Sequence, residues 1–316
     1  MNKLLKINNL SIGFTQYFKG LEQRKLKVIS DLTLDLYEDE ILAVLGSSGS
    51  GKSLLAHGIL GILPPNAKVK GSIYYKDEKL DSKLQEKLRG DIISLIPQSV
   101  NYLNPLMKVK YQAIGYVEDE YLKNEKLKKQ EEIFKKYNLD ETVGDMYPHQ
   151  LSGGMARKVL ISTALLNNPK IIIADEPTPG LDKKSVKETI NDLIDLKNNG
   201  ASILLITHDI DTAIKTSDRI AILYLGYIIE ITETKNFMFN DENLLHPYTK
   251  ALFNALPENG FKLTKGHQPS YLNIPKGCPY QDNCEYKTVE CIKEVPPLTK
   301  IGKSFVRCYH PITKEL

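Results

Sequence analysis

Short apolar segments recur along the chain, and segments with helical spacing follow them. The clearest are EILAVLG at 40–46, KIIIAD at 170–175 and ASILLIT at 201–207. Each is too short for a buried helix, and each is apolar at consecutive positions instead of alternating ones. Strands of this kind are typical of a parallel sheet that helices cover on both faces. The pattern therefore predicts an α/β fold.

Two longer segments near the N-terminus alternate apolar and polar positions. These are LLKINNLSIGF at 4–14 and KVISDLTLDLY at 27–37, and their period of two predicts antiparallel strands. The polar segment between them, 15–27, is expected to be a hairpin loop. Residues 99–165 are expected to be mostly helical, and the mixed-charge run at 122–137 indicates a solvated helix face.

Composition changes after residue 235. The remainder, 236–316, is rich in proline and holds all four cysteines, so we expect a C-terminal module after a first domain at 1–235. Charge is nearly balanced over the whole chain, with 42 basic and 39 acidic residues. That balance argues against a nucleic-acid partner recruited by bulk charge.

No apolar run approaches the roughly 18 residues that cross a bilayer, and the N-terminus has no secretory signal pattern. We therefore expect a cytoplasmic chain that reaches a membrane only through a partner. In that reducing compartment the four cysteines are not expected to form disulfides.

The strongest chemical signal is GSSGSGKS, which fits the phosphate-binding pattern G-x-x-x-x-G-K-[ST] between a predicted strand and a predicted helix. Its glycines let the backbone curl until several N–H groups face one anion at a helix N-terminus. Lys52 is expected to reach the β- and γ-phosphates of a nucleotide, and the Ser53 hydroxyl to bind Mg²⁺. The predicted nucleotide-binding residues of this loop are Gly46, Ser47, Ser48, Gly49, Ser50, Gly51, Lys52 and Ser53.

Further motifs follow this loop in order. IPQ ends at Gln98, LSGGM covers 151–155, ADEPT covers 174–178, GLD ends at Asp182 and ITHD covers 206–209. Together with the loop, the set resembles the ATP-binding cassette (ABC) family of ATPases. The resemblance implies a P-loop NTPase fold with a RecA-like parallel-sheet core, an antiparallel β subdomain and a helical subdomain that carries the LSGGM signature.

The resemblance also implies a role for several residues in ATP hydrolysis. Asp175 is expected to bind Mg²⁺ through water, and Glu176 to orient or deprotonate the attacking water. His208 is expected to contact the γ-phosphate and to hold Glu176. Gln98 is expected to contact Mg²⁺ or the water and to lie near the membrane partner. The predicted catalytic residues are therefore Glu176, His208 and Gln98.

The LSGGM signature is expected to act on a second cassette. In the family, two cassettes pair head to tail, so Ser152, Gly153 and Gly154 would cover the ATP held by the partner's phosphate loop. Bare N–H groups at a helix N-terminus suit a γ-phosphate, and a helix cap at Ser152 is compatible with that role. Asp182 is retained at the dimer-facing loop, although Pro-Gly at 179–180 replaces the Ser or Thr and Ala that the family commonly has.

Adenine recognition depends on an aromatic residue of the first hairpin in this family. Phe14, Tyr17 and Phe18 are the candidates. We expect Phe14 to stack on adenine, because it ends the strand SIGF.

The tail carries HPYT at 246–249, which opens a predicted helix with Pro247 in its first turn. It resembles the C-terminal hallmark of the ATPases of bacterial oligopeptide and nickel importers. This implies an ATP-hydrolysing subunit at the cytoplasmic face of the cell membrane, with two integral-membrane permeases, a second ABC ATPase subunit and an extracytoplasmic substrate-binding protein. Peptides and nickel or metal chelates both remain as substrates.

Four cysteines in this tail are predicted to bind a metal. Thiolates suit zinc or an iron–sulfur cluster. The tight C-x₂₋₄-C pair of zinc sites is absent, and some members of this branch carry a 4Fe-4S cluster. We expect 4Fe-4S, with zinc, no metal and an additional ligand at His310 as alternatives. The predicted ligands are Cys278, Cys284, Cys291 and Cys308.

Two other classes of protein fit the motifs less well. A soluble ABC ATPase of DNA repair or translation usually carries long coiled coils or two cassettes, and neither is visible in this sequence. A degenerate cassette that binds ATP as a structural partner is expected to lack Glu176 or His208, and both are present.

Overall fold

The computed structural model describes residues 2–17, 22–47, 49–238, 241–262 and 267–313, and it describes Tyr17 by its backbone alone. Within these ranges the chain forms twelve β-strands and nine α-helices. The strands are β1 (Lys3–Tyr17), β2 (Gln23–Tyr37), β3 (Ile41–Leu45), β4 (Ala67–Tyr75), β5 (Glu78–Lys79), β6 (Ile93–Ile96), β7 (Ile171–Asp175), β8 (Ser202–Thr207), β9 (Arg219–Tyr224), β10 (Tyr227–Glu233), β11 (Thr299–Ile301) and β12 (Ser304–Val306). The helices are α1 (Lys52–Leu60), α2 (Ser82–Leu88), α3 (Val109–Ile114), α4 (Glu120–Lys136), α5 (Gly153–Leu165), α6 (Lys183–Asn198), α7 (Ile210–Thr216), α8 (Pro247–Asn254) and α9 (Val289–Lys293).

The central sheet has eight strands in the order β11-β12-β10-β9-β3-β8-β7-β6. The strands from β9 to β6 pair in parallel, and β10, β12 and β11 continue the sheet in antiparallel fashion. Consecutive residues of β3 enter two different apolar clusters, with Ala43 in one and Leu42 and Val44 in the other. Both faces of this strand are therefore buried, which confirms the predicted α/β fold.

A second sheet is antiparallel, with the strand order β2-β1-β4-β5. The predicted antiparallel pairing of the two N-terminal strands is confirmed, but the expected loop over 15–27 is too long, because β1 continues to Tyr17 and β2 already begins at Gln23. Thr15 pairs with Lys25, and Gln16 pairs with Arg24. Because the side chains here are polar, the sequence lacks the apolar alternation that marks a strand. Backbone hydrogen bonds between β1 and β2 extend the two strands through this segment all the same.

Between β6 and β7 the chain is helical. It forms α3, α4 and α5, with short 3₁₀ turns around them. The mixed-charge run lies in α4, whose buried residues are Gln130 and Phe134, so the predicted solvated helix face is confirmed. Arg157 of α5 is buried and donates a hydrogen bond to the Pro97 carbonyl at 2.7 Å, which ties the helices to the end of β6.

The C-terminal residues extend the central sheet. β12 pairs with β10, so that Glu230 lies opposite Val306. Glu230 is completely buried and accepts hydrogen bonds from the backbone N–H groups of Leu245 at 2.9 Å and His246 at 2.8 Å. Burial raises the pKa of Glu230. The tail therefore shares a sheet and several buried polar contacts with the preceding residues.

Candidate functional site

The phosphate loop follows the buried strand β3 and opens α1. Gly49 and Gly51 have φ angles of 77° and 89°, in the left-handed region where glycine is favoured. Gly51 is also the N-cap of α1. A Cβ atom at Gly46 would lie 2.8 Å from the Leu223 carbonyl oxygen, so only glycine fits there. Ser48 lies outside the described residues.

Lys52 is buried at the centre of the site. Its ammonium group donates hydrogen bonds to the carbonyl oxygens of Gly46 and Ser47, each at 2.9 Å. It also lies 3.2 Å from Oε1 of Glu176, whose side chain is equally buried. Two opposite charges so deeply buried stabilise each other only when hydrogen bonds satisfy them, as the two carbonyl groups do for Lys52.

Asp175 ends β7 beside the phosphate loop and is 5% exposed. Burial raises the pKa of its carboxyl group, and a hydrogen bond with the Ser53 side chain opposes that rise. Its Oδ1 atom is buried and has no hydrogen-bond partner among the described residues. A carboxylate oxygen without a partner next to a serine hydroxyl matches the oxygen ligands that Mg²⁺ prefers, so these residues fit the expected ion.

Glu176 has φ = 49°, an uncommon value for a residue other than glycine. Its backbone N–H donates to the Ile206 carbonyl at 2.8 Å, which fixes the residue between β7 and β8. Its second carboxylate oxygen forms a short hydrogen bond with Nδ1 of His208. Strained backbone is often found at functional sites, and here it directs one carboxylate toward both Lys52 and His208.

The LSGGM segment lies at the exposed start of α5. Ser152 caps this helix by accepting a hydrogen bond from the Met155 backbone N–H at 3.2 Å. A Cβ atom at Gly153 or Gly154 would meet nothing within 4 Å, and neither glycine has a positive φ. Packing among the described residues therefore does not require the two glycines.

Two predicted residues lie in loops near the buried cluster. Gln98 is exposed, and its carbonyl oxygen is 3.4 Å from the Arg157 guanidinium. Asp182 is also exposed and caps α6 by accepting hydrogen bonds from the backbone of Lys184 and Ser185. The structure thus brings together Lys52, Ser53, Asp175, Glu176 and His208, whereas Ser152, Gly153, Gly154, Gln98 and Asp182 lie on the surface.

Phe14 lies in β1, where it pairs with Leu26 of β2 and Ala67 of β4. Its ring is half-buried and packs against the apolar cluster between the two sheets. Of the other aromatic candidates, Phe18 and the side chain of Tyr17 lie outside the described residues.

The structure adds two residues that the motifs did not indicate. The Ser47 hydroxyl of the phosphate loop donates a hydrogen bond to Oε1 of Gln268 at 2.9 Å. The two residues are 221 positions apart, and no sequence pattern joins them. Arg157 is the second, since it links the signature helix to the loop that carries Gln98.

The four cysteines line one small cavity in the C-terminal region, together with His246 and His310. All four are free thiols. Burial raises the pKa of Cys278 to about 12 and that of Cys308 to about 11, and the neighbouring thiols add to both shifts. Thiolates here are therefore unfavourable unless a cationic group binds them.

The backbone around this cavity is closely packed. The Cys278 N–H donates to the Cys291 carbonyl at 2.8 Å, and a Cβ atom at Gly277 would lie 2.1 Å from that same oxygen. Among the described residues, no three or more His, Cys, Asp or Glu side chains form a group that could hold a metal ion. The sulfur atoms thus surround a common space without converging on one ion-sized point.

Comparisons with known proteins agree with this geometry. The family model for ABC transporters matches residues 29–179, and the model for the C-terminal region of oligopeptide/dipeptide transporters matches residues 229–291. The dipeptide transport ATP-binding protein DppD of Caldanaerobacter subterraneus subsp. tengcongensis is 35% identical over 90% of this chain and 91% of its own. The chain belongs to the ABC transporter ATPase family.

A further relative matches the ABC ATPase along its whole length. The oligopeptide transport ATP-binding protein OppD of Salmonella typhimurium is 31% identical over 100% of this chain and 96% of its own. Similarity over both complete chains supports the whole architecture, tail included.

Solved structures match the cassette portion. A dimeric ATP-binding cassette in a post-hydrolysis state, bound to ADP and Pi, aligns with a TM-score of 0.60 and 30% identity, and covers 73% of this chain and 98% of its own. A component of an ABC transporter complex from Clostridium perfringens aligns with a TM-score of 0.61 and 27% identity. No helix in the described part of this ABC ATPase is long and apolar enough to cross a membrane.

Proposed function

We propose that this ABC ATPase hydrolyses ATP to power the uptake of dipeptides or oligopeptides across a bacterial cell membrane. The observation that carries the proposal is the occurrence, in one chain, of the cluster of Lys52, Glu176 and His208 at the phosphate loop and of the tail typical of oligopeptide/dipeptide transporters. The relatives named above are called dipeptide and oligopeptide transport proteins. These names favour peptides over nickel or metal chelates as the substrate class.

The proposed hydrolytic roles follow from the buried cluster. Lys52 exchanges its contacts with carbonyl oxygens and Glu176 for the β- and γ-phosphates of ATP. Ser53 and Asp175 would hold Mg²⁺, which supplies charge neutralisation at the phosphates when it is bound. Glu176 orients the attacking water and accepts its proton, and His208 holds that carboxylate in place. Gln98, in the adjacent loop, would contact Mg²⁺ or the attacking water.

A second cassette completes the site. Ser152, Gly153 and Gly154 present free N–H groups at the exposed start of α5, which suits the γ-phosphate bound by another cassette's phosphate loop. Asp182 lies at the same type of exposed helix start. A dimeric cassette among the similar solved structures supports pairing of two cassettes, and we propose a different cassette subunit as the partner. Phe14 is the proposed stacking partner of adenine.

An apolar surface next to Gln98 supports a membrane partner. Tyr102, Leu106 and Tyr116 are 59%, 87% and 90% exposed, and all three lie between Gln98 and α4. Exposed apolar side chains concentrated in one segment are typical of an interaction site. We assign this surface to cytoplasmic segments of two integral-membrane permeases, which hold the ATPase at the cytoplasmic face of the membrane and receive substrate from an extracytoplasmic binding protein.

The tail is proposed to carry a 4Fe-4S cluster. Four free thiols around one cavity supply the ligand number of such a cluster. We place the boundary between the cassette and this cysteine module near residue 235, with the helical subdomain at about 99–165.

Purification from membranes tests the proposed transporter. Tagged protein should co-purify with two permeases and a second cassette. In proteoliposomes, ATP hydrolysis should rise when a peptide-loaded binding protein is added, and the Glu176→Gln variant should abolish uptake. Stimulation by a nickel-loaded binding protein, without any by peptides, would contradict the peptide assignment. A chain that hydrolyses ATP but copurifies with no membrane protein would contradict the transporter role.

A further inference from the structure

His246 lines the cavity of the four cysteines, although the sequence marks it only as the first residue of HPYT. It is 1% exposed, at the N-cap of α8. The backbone N–H groups of Leu245 and His246 are both held by the buried carboxylate of Glu230. The imidazole is thus fixed in position by β10 on one side and by α8 on the other.

The helix determines which nitrogen of the ring carries the proton. Nδ1 of His246 accepts a hydrogen bond from the Tyr248 backbone N–H at 3.0 Å. A backbone amide can only donate, so Nδ1 has no proton and the neutral ring carries its proton on Nε2. Pro247 has no N–H of its own, which makes Tyr248 the first donor of this helix that the cap can satisfy.

The Nε2–H group is buried and has no hydrogen-bond partner among the described residues. A buried donor left without a partner destabilises a protein. Since Nδ1 is engaged by the helix, Nε2 is the atom available to whatever occupies the cavity. The same tautomer excludes metal ligation by Nε2, because ligation would move the proton to Nδ1 and oppose the Tyr248 N–H.

We propose that the Nε2–H of His246 donates a hydrogen bond to a sulfur atom of the cluster that the four cysteines hold. The proposal rests on the cluster assigned under the proposed function. Hydrogen bonds to cluster sulfurs stabilise the more negative reduced state and so raise the reduction potential. His246 is therefore a positioning and tuning residue of the cysteine site, and HPYT couples that site to the start of α8.

Two substitutions separate this role from helix capping. In His246→Asn, the side-chain oxygen can still cap α8, as asparagine does well, but the donor at the Nε2 position is lost. In His246→Gln, the amide nitrogen can occupy the Nε2 position, but the cap is lost. The full-length wild-type protein and both variants are purified without oxygen, and iron, sulfide, reduction potential and the rate of iron release to a chelator are measured.

We expect His246→Asn to bind a full complement of iron at a lower reduction potential, and to release iron roughly tenfold faster, as for loss of one hydrogen bond to a charged group. His246→Gln should keep a potential close to that of the wild type, although it melts at a lower temperature. Equal potentials and release rates in His246→Asn and the wild type would overturn the proposal. So would identical changes in both variants, which would mean that the ring only fills space.

The wild-type measurement separates failure of this inference from failure of the cluster assignment. Wild-type protein that lacks iron and sulfide overturns the cluster, and this inference with it. Wild-type protein with about four irons per chain, combined with unaffected variants, overturns the role of His246 alone.

Discussion

Lys52 and Glu176 face each other inside the protein at 3.2 Å, and this ion pair explains how both charges are tolerated there. Each side chain also has a second partner: carbonyl oxygens for Lys52 and His208 for Glu176. At the scale of single residues, this network joins the phosphate loop to Glu176, which follows β7, and to His208, which follows β8.

Lys52→Ala is expected to abolish ATP binding, because the phosphates lose their charge-assisted contacts. Equilibrium binding of labelled ATP measures the effect. Lys187→Ala is the matched control, since Lys187 is an exposed lysine on α6. This variant should bind ATP normally. Wild-type affinity in Lys52→Ala would contradict the assignment of this loop.

Glu176→Gln is expected to bind ATP normally but to hydrolyse it slower by roughly 10² or more, because an amide cannot accept the proton of the attacking water. The variant should also accumulate as a closed dimer of cassettes in ATP. Glu188→Gln, which changes a half-exposed carboxylate on α6, provides the control. Near-normal turnover of Glu176→Gln in the assembled transporter would move the catalytic role to another group.

At the scale of elements, α5 links the signature to the rest of the cassette. Gly153 and Gly154 at its start are exposed, while Arg157 in its second turn is buried against the loop that contains Gln98. A displacement of the signature by a partner cassette would therefore reach this loop through the Arg157 hydrogen bonds, beside the exposed apolar surface of Tyr102 and Leu106. This is a direct physical route from dimer closure to the proposed permease contact.

Gly154→Asp tests whether the start of α5 serves another cassette. A Cβ atom at this position meets nothing within 4 Å, and an acidic residue in the first turn of a helix is favourable by about 0.3–1 kcal/mol. The isolated chain should therefore keep or slightly raise its melting temperature. ATP-dependent dimerisation and hydrolysis should be lost, because the carboxylate repels the γ-phosphate. Normal hydrolysis in this variant would contradict the proposed contact.

At the scale of the whole molecule, the tail contacts the cassette at several separate places. β12 covers the edge of β10, and Gln268 reaches the phosphate loop at Ser47. The residues of β10 from Ile228 to Thr232 are buried. The cysteine cavity and the ATP site therefore belong to one continuous structure. Loss of the tail is expected to affect both the central sheet at β10 and the phosphate loop.

A chain truncated after residue 235 is expected to self-associate, because removal of β12 exposes β10 as an apolar edge strand with unpaired backbone groups. Size-exclusion chromatography with light scattering compares it with the full-length protein at equal concentration. A monomeric truncated chain with an unchanged melting temperature would show that the tail contributes nothing to the sheet.

The sequence alone determined the local features of this protein. Glycines at 49 and 51 permit left-handed backbone, and apolar runs such as that of β8 require burial on both faces. Lys52 and Glu176 lie in motifs that can be recognised from the residues next to them in the sequence. These features depend on neighbours along the chain, so they can be predicted from it.

Only the tertiary structure decided which distant residues meet. It brought Gln268 to Ser47 and placed His246 at the cysteine cavity, where its Nε2–H has no partner among the described residues. It also continued β1 and β2 through residues whose polar side chains gave no strand signal. These outcomes depend on backbone pairing and burial between segments far apart in the chain. The physical reason is that a hydrogen-bond partner or a buried environment is a property of the folded neighbourhood, which no local pattern specifies.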